Sequence, residues 1–459
     1  MNYKFLYVWV FSVLAFAKAH SQQTSTQDSY SFTLEEAINY GLENNYQAIN
    51  AKRDIAKALK QKWETTSTGL PQINAGIDYN YNVKTPVIVL PGVFFDENAA
   101  PGSFTAIPGA PRQTANLNAT LSQLIFDGSY IVALEASETF LDFSENANNK
   151  AKLEVRKGII NAYGGVLLTQ ENISIVERNL TTLNKNLEET TKIYENGLAE
   201  EEDVEQLRIT KAQLENQLNS AKRQEDIALD MLKLALGINL DQEIFLEEDL
   251  AALAIQNMDP SLNQSTLNIE NNTDFQIASN FTEQRRLEYK LERAKALPTL
   301  SGFLNYGIQS FGEDFVFFDS DNQWFGQSVA GVSLSIPIFS SLGRQARTDR
   351  AKIAWDQAKT DLDRTTQEIQ LNYQTALNNY QIAIDNYTTN KENLTLAERI
   401  ENKNNIKFKE GIATSFDLRQ AQTQLYSTQS SYLQSMFQVI SEKANLETIL
   451  NTPEFINQK

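Results

Sequence analysis

A chain of 459 residues with 41% apolar and 21% charged side chains carries enough apolar surface to fold, and it is too long for one ordinary domain. Its net charge of −18 argues against nucleic-acid binding, which needs a cationic surface. Cysteine is absent, so a disulfide frame, thiol catalysis and a lipid-bearing cysteine are all excluded.

Residues 5–17 form an apolar run behind Lys4, and Ala17-Lys18-Ala19 follows as a small-x-small cleavage site. This is the pattern of a secretory signal peptide over 1–19, and the run is too short to span a bilayer. No later stretch is apolar enough for a transmembrane helix, so the mature protein is expected outside the cytoplasm.

Leu34, Ala37, Ile38, Gly41 and Leu42 fall at helical spacing, with Thr33 as N-cap and Glu36 at N3. The helix is expected to continue to about Ser67, where Gly69-Leu70-Pro71 stops it. The period then changes to two. Ile73, Ala75, Ile77, Tyr79 and Tyr81 alternate with Asn74, Gly76, Asp78 and Asn80, which predicts a strand near 72–82. Five prolines in 83–112 predict a long loop. Ala115, Leu117, Ala119 and Leu121 then alternate with polar residues, which predicts a strand near 114–125.

From about Gly128 the helical period returns. Val166, Ile173, Leu180, Leu187 and Tyr194 are seven apart, and Val176 and Leu183 fill a second seam, as in a coiled coil. An unbroken helix here would be on the order of 100 Å long at ~1.5 Å per residue. After a break, Leu207, Leu214, Ala221, Ala228 and Ala235 resume the repeat, and 238–273 reads as acidic and irregular.

The same order then recurs. A helix from Phe275 to Ala296 leads through Leu297-Pro298 into predicted strands near 299–309 and 325–338. A second long helix carries Tyr373, Tyr380, Tyr387 and Leu394, and a last one carries Leu418, Leu425, Tyr432, Val439 and Leu446. The chain is an internal duplication, with repeats at about 33–240 and 263–451.

Two short stretches punctuate the long helices. At 194–204, Tyr194, Gly197, Leu198 and Asp203 appear in the same order as Phe408, Gly411, Ile412 and Asp417 at 408–418. Gly197 and Gly411 are suited to the left-handed position that ends a helix. Asp203 and Asp417 are expected to N-cap the helices that follow, with Gln206 and Gln420 three residues on. Turn chemistry alone explains one such tip; the matched pair suggests a shared task.

Four amphipathic strands per chain are long enough to cross a bilayer, which takes roughly 9–11 tilted residues each. An open four-stranded sheet leaves unpaired edges that lipid does not tolerate, and membrane barrels have at least ~8 strands. Several chains must therefore share one barrel. Tyr79, Tyr81, Tyr306, Trp324 and Phe325 are placed near strand ends, as interfacial aromatics would be.

With Leu70-Pro71 and Leu297-Pro298 before the strands, Phe126 and Phe339 closing them, and the paired tips, the chain resembles the TolC-like outer-membrane efflux family over about 33–451. The resemblance implies a mainly α fold with membrane β: a long coiled-coil helical barrel plus four strands per chain in a shared trimeric 12-stranded barrel. It implies a homotrimer in outer-membrane lipid with its tunnel in the periplasm. A periplasmic membrane-fusion adaptor and an inner-membrane pump, of resistance-nodulation-division or ATP-binding cassette type, would be its partners. The adaptor would dock at Tyr194, Gly197, Leu198, Asp203, Phe408, Gly411, Ile412 and Asp417. The family's entrance lock uses an Arg and a Tyr where this chain has Ala413 and Phe408, and a pore aspartate is replaced by Gln420, so that lock is not carried over.

Glu200, Glu201, Glu202, Asp203 and Asp417 are candidates for an acidic pore entrance, where mutual repulsion is expected to raise some of their pKa values. The bland alternative is a solvated, charged turn. The single histidine, His20, sits beside the signal region, and no nucleophile, phosphate loop or metal motif stands out. No enzyme activity, cofactor or metal is expected. The competing reading, a soluble periplasmic coiled-coil adaptor or scaffold, leaves the amphipathic strands unexplained.

Overall fold

The computed structural model describes residues 30–451 except 97, 99, 260, 263 and 264. The expected signal peptide and His20 lie outside the described residues. The elements in order are β1 (Tyr30–Phe32), α1 (Leu34–Asn44), α2 (Tyr46–Ser67), β2 (Gln72–Tyr81), β3 (Val87–Pro91), β4 (Phe104–Pro108), β5 (Gln113–Asp127) and α3 (Gly128–Glu195). Then follow α4 (Glu201–Leu236), β6 (Ile244–Leu246), α5 (Leu250–Gln256), α6 (Thr273–Ala294), β7 (Thr299–Gly312), β8 (Phe325–Ser335), α7 (Gly343–Lys409) and α8 (Ser415–Leu450). They form two compact units, and both long helices, α3 and α7, contribute to each.

One unit, built from 49–153, 266–375 and the residues from 449 on, holds the four-stranded sheet. Its order is β2-β5-β7-β8, every neighbour antiparallel. The register sorts the side chains onto two faces, because residues opposite one another point the same way. Ile73, Leu121, Leu304 and Ala330 form one row, and Ile77, Leu117, Ile308 and Gly326 another. Asn74, Thr120, Asn305 and Val329 lie on the opposite face, as do Gly76, Asn118, Gly307 and Gln327. The first face is apolar and carries no charge; the second is polar, tied by Asn305 Nδ2 donating to Thr120 Oγ1 at 2.7 Å. Ile73 and Ile77 are exposed although apolar, and β2 and β8 each leave one edge unpaired.

Three local expectations change. The first helix is two: Asn45 breaks it, its side-chain Oδ1 accepting from Gln47 N at 2.7 Å so that it starts α2 afresh. The predicted loop at 83–112 contains the hairpin β3–β4, antiparallel from Val87↔Pro108 to Pro91↔Phe104. Prolines sit at the ends of those strands, where the lack of an N–H is tolerated. Tyr306 lies mid-strand opposite Ala119 and Ser328 rather than at a strand end. Tyr79 does lie near the end of β2, and packs with Phe315 and Phe317, which reaches Trp324.

The other unit, up to residue 48 with 154–265 and 376–448, is helical. The stretch expected to be irregular contains β6, which pairs in parallel with β1, and the short α5. Such a pairing joins segments some two hundred residues apart, beyond what local periodicity reveals. The heptad seams are its core: Val176, Leu180 and Leu183 from α3 pack with Leu207 and Leu214 from α4, and Tyr426 from α8 joins them. Tyr163 is fully buried, donating to the Phe32 carbonyl at 3.0 Å. Arg156 pairs with Glu447 at 2.6 Å, tying α3 to α8.

Candidate functional site

The two tips lie in the same unit, α3 turning into α4 and α7 into α8. Each turn closes through the same pair of hydrogen bonds. Gly197 N donates to Tyr194 O at 2.8 Å and Leu198 N to Ile193 O at 3.1 Å. At the second tip Gly411 N donates to Phe408 O at 3.0 Å and Ile412 N to Lys407 O at 2.8 Å. This 6→1 and 5→2 pattern is the Schellman motif, which needs a left-handed residue at C′. Gly197 has φ +75° and Gly411 φ +71°. A Cβ built on either would meet nothing within 4 Å, so backbone conformation, not space, demands glycine there.

The aspartates do not N-cap their helices, as the sequence had suggested. The caps are Glu200 and Thr414, and Asp203 and Asp417 stand at N3. Thr414 Oγ1 accepts from Asp417 N at 3.2 Å, while Asp417 Oδ2 accepts from Thr414 N at 3.0 Å and from Thr414 Oγ1 at 2.8 Å. That reciprocal pair is a capping box. In the first tip Glu200 N donates to Asp203 Oδ2 at 3.3 Å. These bonds from Thr414, backbone first, hold the Asp417 carboxyl below its ordinary value of 3.8.

The turns push their apolar residues outward. Leu198 is 81% exposed and Ile412 75%. Tyr194 and Phe416 are exposed as well. A cavity of about 540 Å³ lies between the tips, with Ile193 and Leu198 on one side and Phe408 and Phe416 on the other. Glu200, Glu202, Asp203 and Ala413 also line it, while Glu201 is exposed at the head of α4. Lys409 pairs with Glu189 at 2.9 Å and links α7 to α3 just behind the tips.

Sequence reasoning missed a polar layer behind the turns. Thr190 continues the seam of Val176 and Leu183 by seven, yet it is a hydroxyl. It is 1% exposed, and its Oγ1 has no hydrogen-bond partner. Asn186 beside it is also buried. Burial likewise raises the Glu401 carboxyl on α7 above its ordinary value, against the opposing pull of Gln422 and Lys409. A polar residue on schedule in an apolar heptad was the available signal.

Long helical hairpins with matched tips, joined to a short antiparallel sheet that is apolar on one face and polar on the other, define an outer-membrane channel with a helical tunnel. The model of the outer membrane efflux protein family matches residues 37–238 and 266–452, most of the chain, and the protein belongs to that family. It is an outer-membrane efflux channel.

Solved structures agree on the fold. The outer membrane protein VceC of Vibrio cholerae is similar at 18% identity and TM-score 0.70, covering 91% of this chain and 95% of that one. CusC, a transmembrane channel, gives 17% identity and TM-score 0.72 over 91% of each chain. The Campylobacter jejuni CmeC outer membrane channel gives 16% and 0.69, covering 91% of this chain and 85% of CmeC. No curated protein matches.

Proposed function

We propose that three copies of this chain close one 12-stranded barrel and one helical tunnel. The tunnel is a passive conduit for substrate that an inner-membrane pump delivers through a periplasmic adaptor. The pump is of resistance-nodulation-division or ATP-binding cassette type, and the protein itself is not an enzyme. The sheet supports the trimer: β2 and β8 run antiparallel to one another across its four strands, so copies joined edge to edge keep the alternation unbroken.

The observation that carries the docking role is the exposure of Leu198 and Ile412 on two turns of identical geometry. A leucine held out in water by a rigid turn contributes nothing to its own fold, and suits an apolar notch on a partner hairpin. Tyr194, Gly197, Leu198 and Asp203 of one tip, with Phe408, Gly411, Ile412 and Asp417 of the other, form the adaptor-docking surface. Glu200, Glu201 and Glu202 with the two aspartates line the entrance.

The test is Leu198→Asp combined with Ile412→Asp, with in-cell cross-linking to the cognate periplasmic adaptor. Cross-linking is expected to fall at least about tenfold, since two buried aliphatic contacts are each worth roughly 1.5–3 kcal/mol, while the amount of channel in the outer membrane stays unchanged. Undiminished cross-linking and export would remove the tips from the docking surface.

A further inference from the structure

At the foot of the sheet a groove of about 650 Å³ opens between α3, α6 and α7. Its upper end is apolar: Phe126 from the end of β5, Ile131 from the start of α3, and Leu297 just before β7. Phe126 stands opposite Leu300 in the sheet, in register with the apolar face, so the groove lies directly below the face whose composition suits lipid. Its lower wall is cationic, with Arg286, Lys290 and Arg293. Tyr289 and Trp355 stack there at 6.0 Å, and Arg293 lies 5.7 Å from the Tyr289 ring centroid.

The charge balance here runs against that of the chain. Residues 285–295 and 344–352, the parts of α6 and α7 nearest the strands, hold nine Lys and Arg against three Asp and Glu. The whole chain holds 40 against 58. Carboxylates match part of this charge: Glu283 takes Arg286 at 2.6 Å, Glu135 takes Arg286 at 3.2 Å and Lys290, Glu288 takes Arg285, and Glu292 takes Lys295 and Arg347, while Arg293 is exposed. Cations beside interfacial Trp and Tyr, beneath an apolar wall, suit an amphiphile with an anionic head.

We infer that this groove binds an anionic phospholipid of the periplasmic leaflet. The phosphate sits against Arg293, with Lys290 shared between it and Glu135, the headgroup on Tyr289 and Trp355, and an acyl chain rises past Leu297 and Phe126 onto the apolar strand face. The inference rests on the outer-membrane location and is independent of how the tips dock. One lipid per chain would fasten the foot of the barrel to its leaflet, a role that a lipidated cysteine cannot fill in a chain without cysteine.

The test is native mass spectrometry of the full-length, detergent-extracted channel titrated with phosphatidylglycerol, with phosphatidylcholine of the same acyl chains, or with inorganic phosphate. Phosphatidylglycerol is expected to be retained at concentrations where phosphatidylcholine is not. The preference should shrink about fivefold for each cation removed, in Arg293→Gln and again in Arg293→Gln with Lys290→Gln, and Arg293→Lys should restore it. Equal retention of the two lipids, or an unchanged preference in the double variant at wild-type oligomeric mass, overturns the inference. So does displacement of the lipid by millimolar phosphate, which would make the groove a simple anion site.

Discussion

At the scale of single residues, the tips show which chemistry a sequence displays openly. Gly197 and Gly411 were legible as helix terminators because few other residues accept the φ they adopt. The caps lie three residues before the aspartates, since Asp serves both at N-cap and at N3 and only its partners separate the two. Thr414-x-x-Asp417 was the clue at the second tip; Glu200 offers a weaker one at the first. The capping box sets a pH dependence. Because folding lowers the Asp417 pKa, its contribution is complete above the unfolded value and is lost as pH falls through the folded one. Asp417→Ala is therefore expected to loosen the second tip at neutral pH, and its gap from wild type should begin to narrow as pH falls below about 4 and close once Asp417 is protonated in the folded state. Hydrogen exchange at the Thr414 amide, followed across that range, reads this out; a gap independent of pH would mean the carboxylate is not the acceptor.

At the scale of elements, periodicity carried most of the information. The seven-residue repeats marked the buried seams, with Val176, Leu183, Leu207 and Leu214 in one core, and the alternating stretches marked the strands. What stayed hidden depends on distant partners. Three residues of β1 become a strand only because β6 lies alongside, and the β3–β4 hairpin was masked by its prolines. The two faces of the sheet invite a paired substitution. Ala119 and Asn118 are neighbours in β5, one on the apolar face and one on the polar. Ala119→Arg is expected to destabilise the assembled barrel by about 2–4 kcal/mol, as a charge facing mid-bilayer does, whereas Asn118→Arg should assemble normally. Thermal melting of the detergent-extracted oligomer distinguishes them, and equal effects would contradict the assignment of faces.

At the scale of the whole molecule, duplication made the architecture readable, since each weak local signal occurs twice in the same order. The sequence could not place the carboxylates relative to the entrance, because that depends on three chains meeting. If Glu200, Glu201 and Glu202 face the lumen, their repeated charge attracts cations where low-dielectric walls enclose water. Replacing all three by Gln should then shift the reversal potential in a planar-bilayer salt gradient toward lower cation selectivity. An unchanged potential would leave them as solvating charges on the outside of the tip.

A shared barrel requires β2 of one copy to pair with β8 of the next. The absence of native cysteine makes this directly measurable. Cysteine pairs can be scanned along the polar faces of the two edges, at Asn74, Gly76 or Asp78 against Gln327, Val329 or Gly331. Membranes are then oxidised and the protein is run under denaturing, non-reducing conditions. A closed ring predicts that in-register pairs yield a covalent species of three times the chain mass that reverts on reduction. Monomers alone, at every pair tested and with the channel present in the outer membrane, would contradict the shared barrel.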